Sequence, residues 1–300
     1  MAGVRKLAHV AVLCWVVIPL ACAQDAVTTI QLADGTSTQV TFTRINVPGS
    51  QLTTVTGINA AGDMVGYYGK NSNGPYHGFL LSGGKFTFFN YPGAHSTVAG
   101  KINDAGVIVG NTANGGPREL GFSYDGTSYT SIRRGKDAVS VPIGINNAGY
   151  IVGGTGMSDT QAFELRGTQF RMIDFPGLYF NGYGTGINRF GQVVGWTTDG
   201  VHTHGYEYSQ GVFTQIDFPG SQATEAWDIN DSGVIVGWYG VGAFTYGFVL
   251  LDGQYTEIAY PGAKGTFAEG INAAGQIVGS YTFDYTTYHG FVTSPIATLR

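Results

Sequence analysis

Glu225, Asp228 and Glu269 are the side chains of this sequence best suited to do chemistry. Two carboxylates held at a suitable separation supply the acid and the base of glycosidic bond cleavage. The plainer reading is solvated charge, because carboxylates avoid burial unless they are paired. A second set is aromatic: Tyr67, Tyr68, Trp196, Trp238, Tyr239 and Tyr281 begin segments dense in rings. A ring stacks on the apolar face of a sugar or anchors a protein interface, and it serves equally well as core packing. Lys101 completes the set of candidate ligand-binding residues, together with Asp228.

Other chemistries lack their residues. His77, His204 and His289 fall in different parts of the chain, whereas zinc needs ligands that converge on one point. No Asp-x-Asp-x-Asp-Gly calcium loop, glycine-rich phosphate loop, Gly-x-Ser-x-Gly elbow or His-Glu-x-x-His pair occurs. Neither a metal nor a cofactor is expected.

What positions the candidates is a repeat. Ile-Asn recurs at Ile58-Asn59, Ile102-Asn103, Ile145-Asn146, Ile187-Asn188, Ile229-Asn230 and Ile271-Asn272, each followed by glycine three places on and by Val-Gly three and four places later. The mean period is about 43 residues, within the range of propellers and helical arrays. One unit, residues 221–262, contains four short apolar or alternating runs, each closed by turn residues. Abundant glycine (48), tyrosine (18) and phenylalanine (18), without 3.6-residue apolar stripes, points to four antiparallel strands rather than helices. Four strands per unit predict a propeller blade.

The chain ends agree with a ring. After the sixth phrase one further strand, His289-Gly290-Phe291-Val292, is legible, and the Phe-Thr-x-Ile strand of a complete unit is missing. Phe42-Thr43-Arg44-Ile45, before the first phrase, is that strand. The expectation is a single all-β domain over residues 24–300: a six-bladed propeller whose N-terminal strand joins the C-terminal blade and leaves no open edge.

Gly-Ile-Asn-x-x-Gly-x-Ile-Val-Gly, followed by His77-Gly78-Phe79, Gln161-Ala162-Phe163, His204-Gly205-Tyr206 or His289-Gly290-Phe291, resembles the HAF family of extracellular bacterial repeats. The resemblance implies an extracellular setting and brings no established activity. Leu120-Gly121-Phe122 and Tyr246-Gly247-Phe248 depart from the triplet, so histidine is not a requirement of every unit.

Within the repeat, asparagine with glycine three places on suits a type I turn. Gly83-Gly84, Asp125-Gly126, Gln210-Gly211 and Asp252-Gly253 read as hairpin turns, as does Asp34-Gly35. Asn46, Asn90, Asp174 and Asp217 are expected to bond local turn amides. Immediately before the isoleucine the units carry Gly57, Lys101, Gly144, Gly186, Asp228 and Gly270. In a six-membered ring Lys101 and Asp228 stand opposite one another. Glu225 and Glu269 lie on the innermost strands of adjacent units.

Arg5 and Lys6, an apolar run from Leu7 to Leu20 and Ala21-Cys22-Ala23 have the order of a secretory signal cut after Ala23. The run is short for a membrane span of about 20 residues, so no transmembrane segment is expected after its removal. Lipidation at Cys22 is the minor alternative, since Pro19 occupies the place where a lipoprotein signal has leucine. The only cysteines, Cys14 and Cys22, lie in this segment, which excludes disulfides and thiol catalysis from the mature chain. Its loss takes the net charge from −5 to −7, and an acidic chain with 12% charged residues offers no basic stripe to nucleic acid. The functional expectation is a secreted, non-enzymatic module that binds a glycan or an extracellular protein. A glycan hydrolase or lyase using the three carboxylates, and a cell-surface structural protein, are the alternatives.

Overall fold

The structure, a computed structural model, describes residues 25–31, 35–113, 120–135, 139–156, 160–176 and 180–296, with the backbone alone at 180 and 181. The expected signal over residues 1–23 and Asp34 of the first hairpin lie outside the described residues.

Among the described residues every regular element is a strand. β1 (Ala26–Gln31) and β2 (Ser37–Ile45) open the chain. Five antiparallel groups of four strands follow, the last two joined to each other and to the C-terminal strands in one sheet through single parallel pairs, Thr203 with Ala223 and Thr245 with Gly265. They are β3 (Leu52–Ile58), β4 (Met64–Gly69), β5 (Tyr76–Ser82) and β6 (Lys85–Phe89); then β7 (Ser96–Ile102), β8 (Ile108–Ala113), β9 (Leu120–Tyr124) and β10 (Tyr129–Ile132). Next come β11 (Ser140–Ile145), β12 (Ile151–Thr155), β13 (Gln161–Arg166) and β14 (Gln169–Ile173), then β15 (Phe180–Ile187), β16 (Val193–Thr198), β17 (Thr203–Ser209) and β18 (Val212–Ile216). β19 (Ala223–Ile229), β20 (Ile235–Val241), β21 (Phe244–Leu251) and β22 (Gln254–Ile258) make the fifth. The last strands, β23 (Gly265–Ile271), β24 (Ile277–Thr282) and β25 (His289–Thr293), take β2 as their outer neighbour: Phe42 to Ile45 lie opposite Thr293 to Gly290. β1 pairs along the far side of β2.

Packing explains much of the repeated sequence. The third residue of each triplet, Phe79, Phe122, Phe163, Tyr206, Phe248 and Phe291, is fully buried. Each lies opposite the glycine of Val-Gly in the register, as Phe79 does Gly66 and Phe248 does Gly237. A Cβ on Gly66 would fall 1.9 Å from the Thr54 carbonyl oxygen and 2.8 Å from the Phe79 ring. Glycine is therefore what admits the ring, and burying such a ring contributes roughly 1.5–3 kcal/mol. Cores form between successive sheets, for example Val65 and Phe89 with Ala99, Ile102, Ile108 and Phe122.

The asparagines do more than turn the chain. The turn itself is as expected: Asn59 Oδ1 accepts from Asp63 N at 2.9 Å, Gly62 N donates to the Asn59 carbonyl, and Gly62 has φ +83°. Each side-chain Nδ2 also donates to the main-chain carbonyl of the next unit's asparagine. Asn59 reaches Asn103 (3.5 Å), Asn103 reaches Asn146 (3.2 Å) and Asn146 reaches Asn188 (3.0 Å). Asn188 continues to Asn230 (3.3 Å), Asn230 to Asn272 (3.4 Å), and Asn272 returns to Asn59 (3.2 Å). All six asparagines are buried, so their amides must find partners inside the protein. The cyclic handover gives every donor one.

Candidate functional site

One residue before each isoleucine, the innermost strands touch. A Cβ on Gly186 would lie 2.7 Å from the Cα of Asp228, and one on Gly57 would lie 3.0 Å from the Cα of Lys101. Only two units carry a side chain here, and the two side chains meet. Lys101 Nζ lies 3.6 Å from Asp228 Oδ2, donates to the Thr56 carbonyl at 2.6 Å and also donates to the Glu269 carbonyl. Asp228 Oδ2 accepts from Ile271 N at 3.1 Å and Oδ1 from Ile229 N at 3.0 Å. These groups from four different units fill the middle of the axis. On the asparagine side they leave a cavity of about 100 Å³.

On the other side of this pair lie Glu269 and Glu225. Glu269 is buried and its Oε1 accepts from Ser280 Oγ at 3.3 Å; half-buried Glu225 accepts from Trp227 Nε1 at 3.0 Å. Burial pushes the Glu225 carboxyl up to about 8, reinforced by the charge of Glu269 and opposed by the Trp227 N–H. Burial also pushes Glu269 up to about 7, against the pull of Lys101 and the Ser280 hydroxyl. Asp228 is raised by burial and held back by Lys101 and the two backbone amides. The Tyr67 phenol is driven well above its ordinary value by burial and then by Glu269.

Half-buried rings gather at the same level of the inner strands. Trp238 meets Phe267 of the next unit edge-on, with centroids 5.7 Å apart; Trp196 lies 4.9 Å from Tyr183, and Tyr67 lies 5.4 Å from Tyr76. The register explains the grouping, since Glu225 pairs with Trp238, Tyr183 with Trp196 and Thr54 with Tyr67. Tyr183, Trp227 and Phe267 were not among the expected binding residues. Their signal is positional: they stand where other units carry Val98, Val141 or Gly100.

Three expected rings lie elsewhere. Tyr239 and Tyr281 are 4% and 1% exposed and stack flat on Phe218 and Tyr260, at 3.6 Å and 3.5 Å between centroids. They are core, not surface, because β20 and β24 run on through them and alternation turns them away from Trp238 and Ser280. Tyr68 turns the same way and packs on His77 and Phe88. The residues ending the fourth strands also differ from expectation. Asn90, Asp217 and Asn46 meet the triplet histidines rather than turn amides, with His77 Nδ1 2.8 Å from Asn90, His204 Nδ1 3.0 Å from Asp217 and His289 Nδ1 3.2 Å from the Asn46 amide. For Asn90 and Asp217 the histidine stands thirteen residues upstream on the paired third strand, and for Asn46 it comes from β25, the strand that β2 joins.

The sequence matches no known family model and no curated protein. Solved structures do resemble it. The fucose-specific lectin from Aleuria aurantia is 13% identical, with 81% of this chain and 93% of that one covered and a TM-score of 0.51. AofleA from Arthrobotrys oligospora, as an arginine-to-alanine mutant, is 9% identical over 90% and 86%, with a TM-score of 0.52. The β-propeller domain of the Trilobed protease from Pyrococcus furiosus is 10% identical over 89% and 90%, with a TM-score of 0.50. At such identities the likeness concerns the fold alone: an all-β, propeller-like arrangement of four-stranded blades.

Proposed function

We propose that this chain is a secreted six-bladed propeller that binds a glycan, without turning it over, at the end of the axis opposite the asparagine ring. The observation that carries this reading is the group of half-buried inner-strand rings, Tyr67, Tyr183, Trp196, Trp238 and Phe267, above a floor of hydrogen-bonding carboxyls, Glu225 and Glu269. Rings offer flat apolar area to a sugar face while carboxyl oxygens accept from its hydroxyls. The ion pair of Lys101 and Asp228 belongs to this floor as a positioning element, since each group is already bonded. The cyclic asparagine handover and the place of β2 as the fourth strand beside β25 support the six-bladed reading. Secretion rests on the order of basic, apolar and small residues over 1–23 and on the resemblance to extracellular HAF repeats. The likeness to a lectin supports the binding reading only at the level of fold.

A glycan array paired with a reducing-sugar assay tests it. The expected result is binding without sugar release, weakened at least tenfold by Trp238→Ala. Turnover that Glu225→Gln abolishes would make the protein a glycoside-cleaving enzyme instead. Neither binding nor turnover would leave a structural repeat protein.

A further inference from the structure

Two successive units carry a glutamate where the others carry Leu80, Ser123, Val249 or Val292: Glu164 on β13 and Glu207 on β17. The first receives its cations from its own unit. Arg166 Nε and Nη2 donate to Glu164 Oε1 at 2.9 and 2.7 Å, and Arg171 Nη1 stands 3.6 Å from Oε2. Arg171 lies opposite Glu164 in the register and reaches across the joint to the fourth unit. There its guanidinium sits 5.2 Å from the centroid of the Tyr208 ring and donates to the hydroxyl. Arg166 meets the same unit at Gly191, where an added Cβ would lie 3.7 Å from its Nη2.

Glu207 stands in the same register without these partners. The residue opposite it is Thr214, Ser209 takes the place of Arg166, and Leu250 of the fifth unit takes that of Tyr208. Among the described residues one hydrogen bond reaches this carboxylate: Gln192 Nε2 donates to Oε1 at 2.8 Å. The glutamine is itself held by Asn188, whose Nδ2 donates to Gln192 Oε1 at 2.7 Å. Where the third unit has its arginines, a cleft of about 420 Å³ opens between the fourth and fifth units. Its walls include Glu207, Thr214 and Leu250 together with Asp252 and Tyr255, and no lysine, arginine or histidine of the described residues lines it.

We propose that this cleft is a binding site for an alkylguanidinium group, the arginine side chain of a peptide. The preceding joint supplies the precedent, because there a glutamate in the same register takes two guanidinium groups. A carboxylate offers about four acceptor positions and Gln192 occupies one, which leaves room for the forked N–H pair of a guanidinium. Asp252 adds a second negative charge. Leu250 suits the methylene stem, and the Tyr255 ring suits the guanidinium plane. Near the small end of ligand sites, ~300–1,000 Å³, the cleft takes one side chain rather than a folded segment. Free arginine fits it poorly, since its α-carboxylate would meet two acids and no cation, whereas a residue within a chain carries no such charge. The turn glycines Gly233 and Gly253 also line the cleft, so it belongs to the asparagine end and is independent of the glycan reading.

Saturation-transfer NMR of the purified protein at low ionic strength tests the proposal, with Nα-acetyl-L-arginine N-methylamide as the probe. Binding is expected with a Kd on the order of 1 mM. The corresponding lysine derivative, a point charge without the planar fork, and free L-arginine are both expected to bind more weakly, and the neutral citrulline derivative not at all. Glu207→Gln should weaken binding about tenfold, as loss of a charge-assisted hydrogen bond does. Thr214→Arg, which supplies the residue of the third unit, should abolish it without lowering the melting temperature. No binding of the arginine derivative overturns the site, as does equal binding of the lysine or citrulline derivative, or affinity unchanged by either variant. Free L-arginine binding as tightly as its blocked derivative overturns the assignment to a peptide. None of these outcomes alters the result expected from the glycan array.

Discussion

The two ends of the axis are made by the same strands under opposite rules. At one end six asparagines repeat a single geometry, each amide bonded within its own turn and to its neighbour. At the other, the equivalent positions of the inner strands hold Thr54, Val98, Val141, Tyr183, Glu225 and Phe267, and apart from the neighbouring valines each unit presents its own chemistry there. Identity is required where every unit must accept from the previous one and donate to the next. It is not required where units contribute separately to a shared surface, and that end is free to carry recognition. Between the two lies the Lys101–Asp228 pair, a departure from the repeat that nevertheless acts as structure.

Four changes break or sharpen this contrast. The largest effect is expected from Lys101→Met, which leaves the Asp228 carboxylate and two carbonyls without their cation in a buried place. A broken buried pair costs about 3–5 kcal/mol, and Lys101→Met with Asp228→Asn should recover part of it in thermal melting. Asn230→Ala removes both the turn acceptor and the handover to Asn272. It should cost about 2–3 kcal/mol and lower the melting temperature by roughly 2–4 °C per kcal/mol. Gly186→Ala should cost about 1–3 kcal/mol through the clash with Asp228, whereas a Cβ on Gly240 meets nothing within 4 Å and Gly240→Ala should be neutral.

The smallest effect concerns pH. Glu225 and Glu269 hold their protons more tightly folded than unfolded, so their contribution is fully present below about pH 4.5 and is lost as pH rises through about 7 and 8. Stability should therefore fall across that interval. Glu225→Gln should flatten the decline and raise the melting temperature at pH 8 by a few degrees, corresponding to about 1–2 kcal/mol. An unchanged pH profile would show that Glu225 is not buried against Glu269.

Much of the architecture was legible because turns are local. Asparagine with glycine three places on specifies its turn without reference to anything distant, and the half-repeats at the two ends reveal that β2 belongs beside β25. The opposition of Lys101 and Asp228 followed from counting units. What was not legible depends on reach across units. The handover from Nδ2 to the next asparagine requires two turns at one radius, which no spacing displays. The placement of Tyr239 and Tyr281 differs from the expected one because each adjoins a residue of the other face, and the pairing of β20 continues past Trp238 to Val241. An alternation count through Gly237, Trp238 and Tyr239 carries that information.

The division of labour between the ends is tested most directly by titrating the highest-ranked array glycan into Asn230→Ala and Trp238→Ala at a temperature where both are folded. The account expects Asn230→Ala to bind like the unaltered protein and Trp238→Ala to bind at least tenfold more weakly. Weakened binding in Asn230→Ala with full affinity in Trp238→Ala would contradict it.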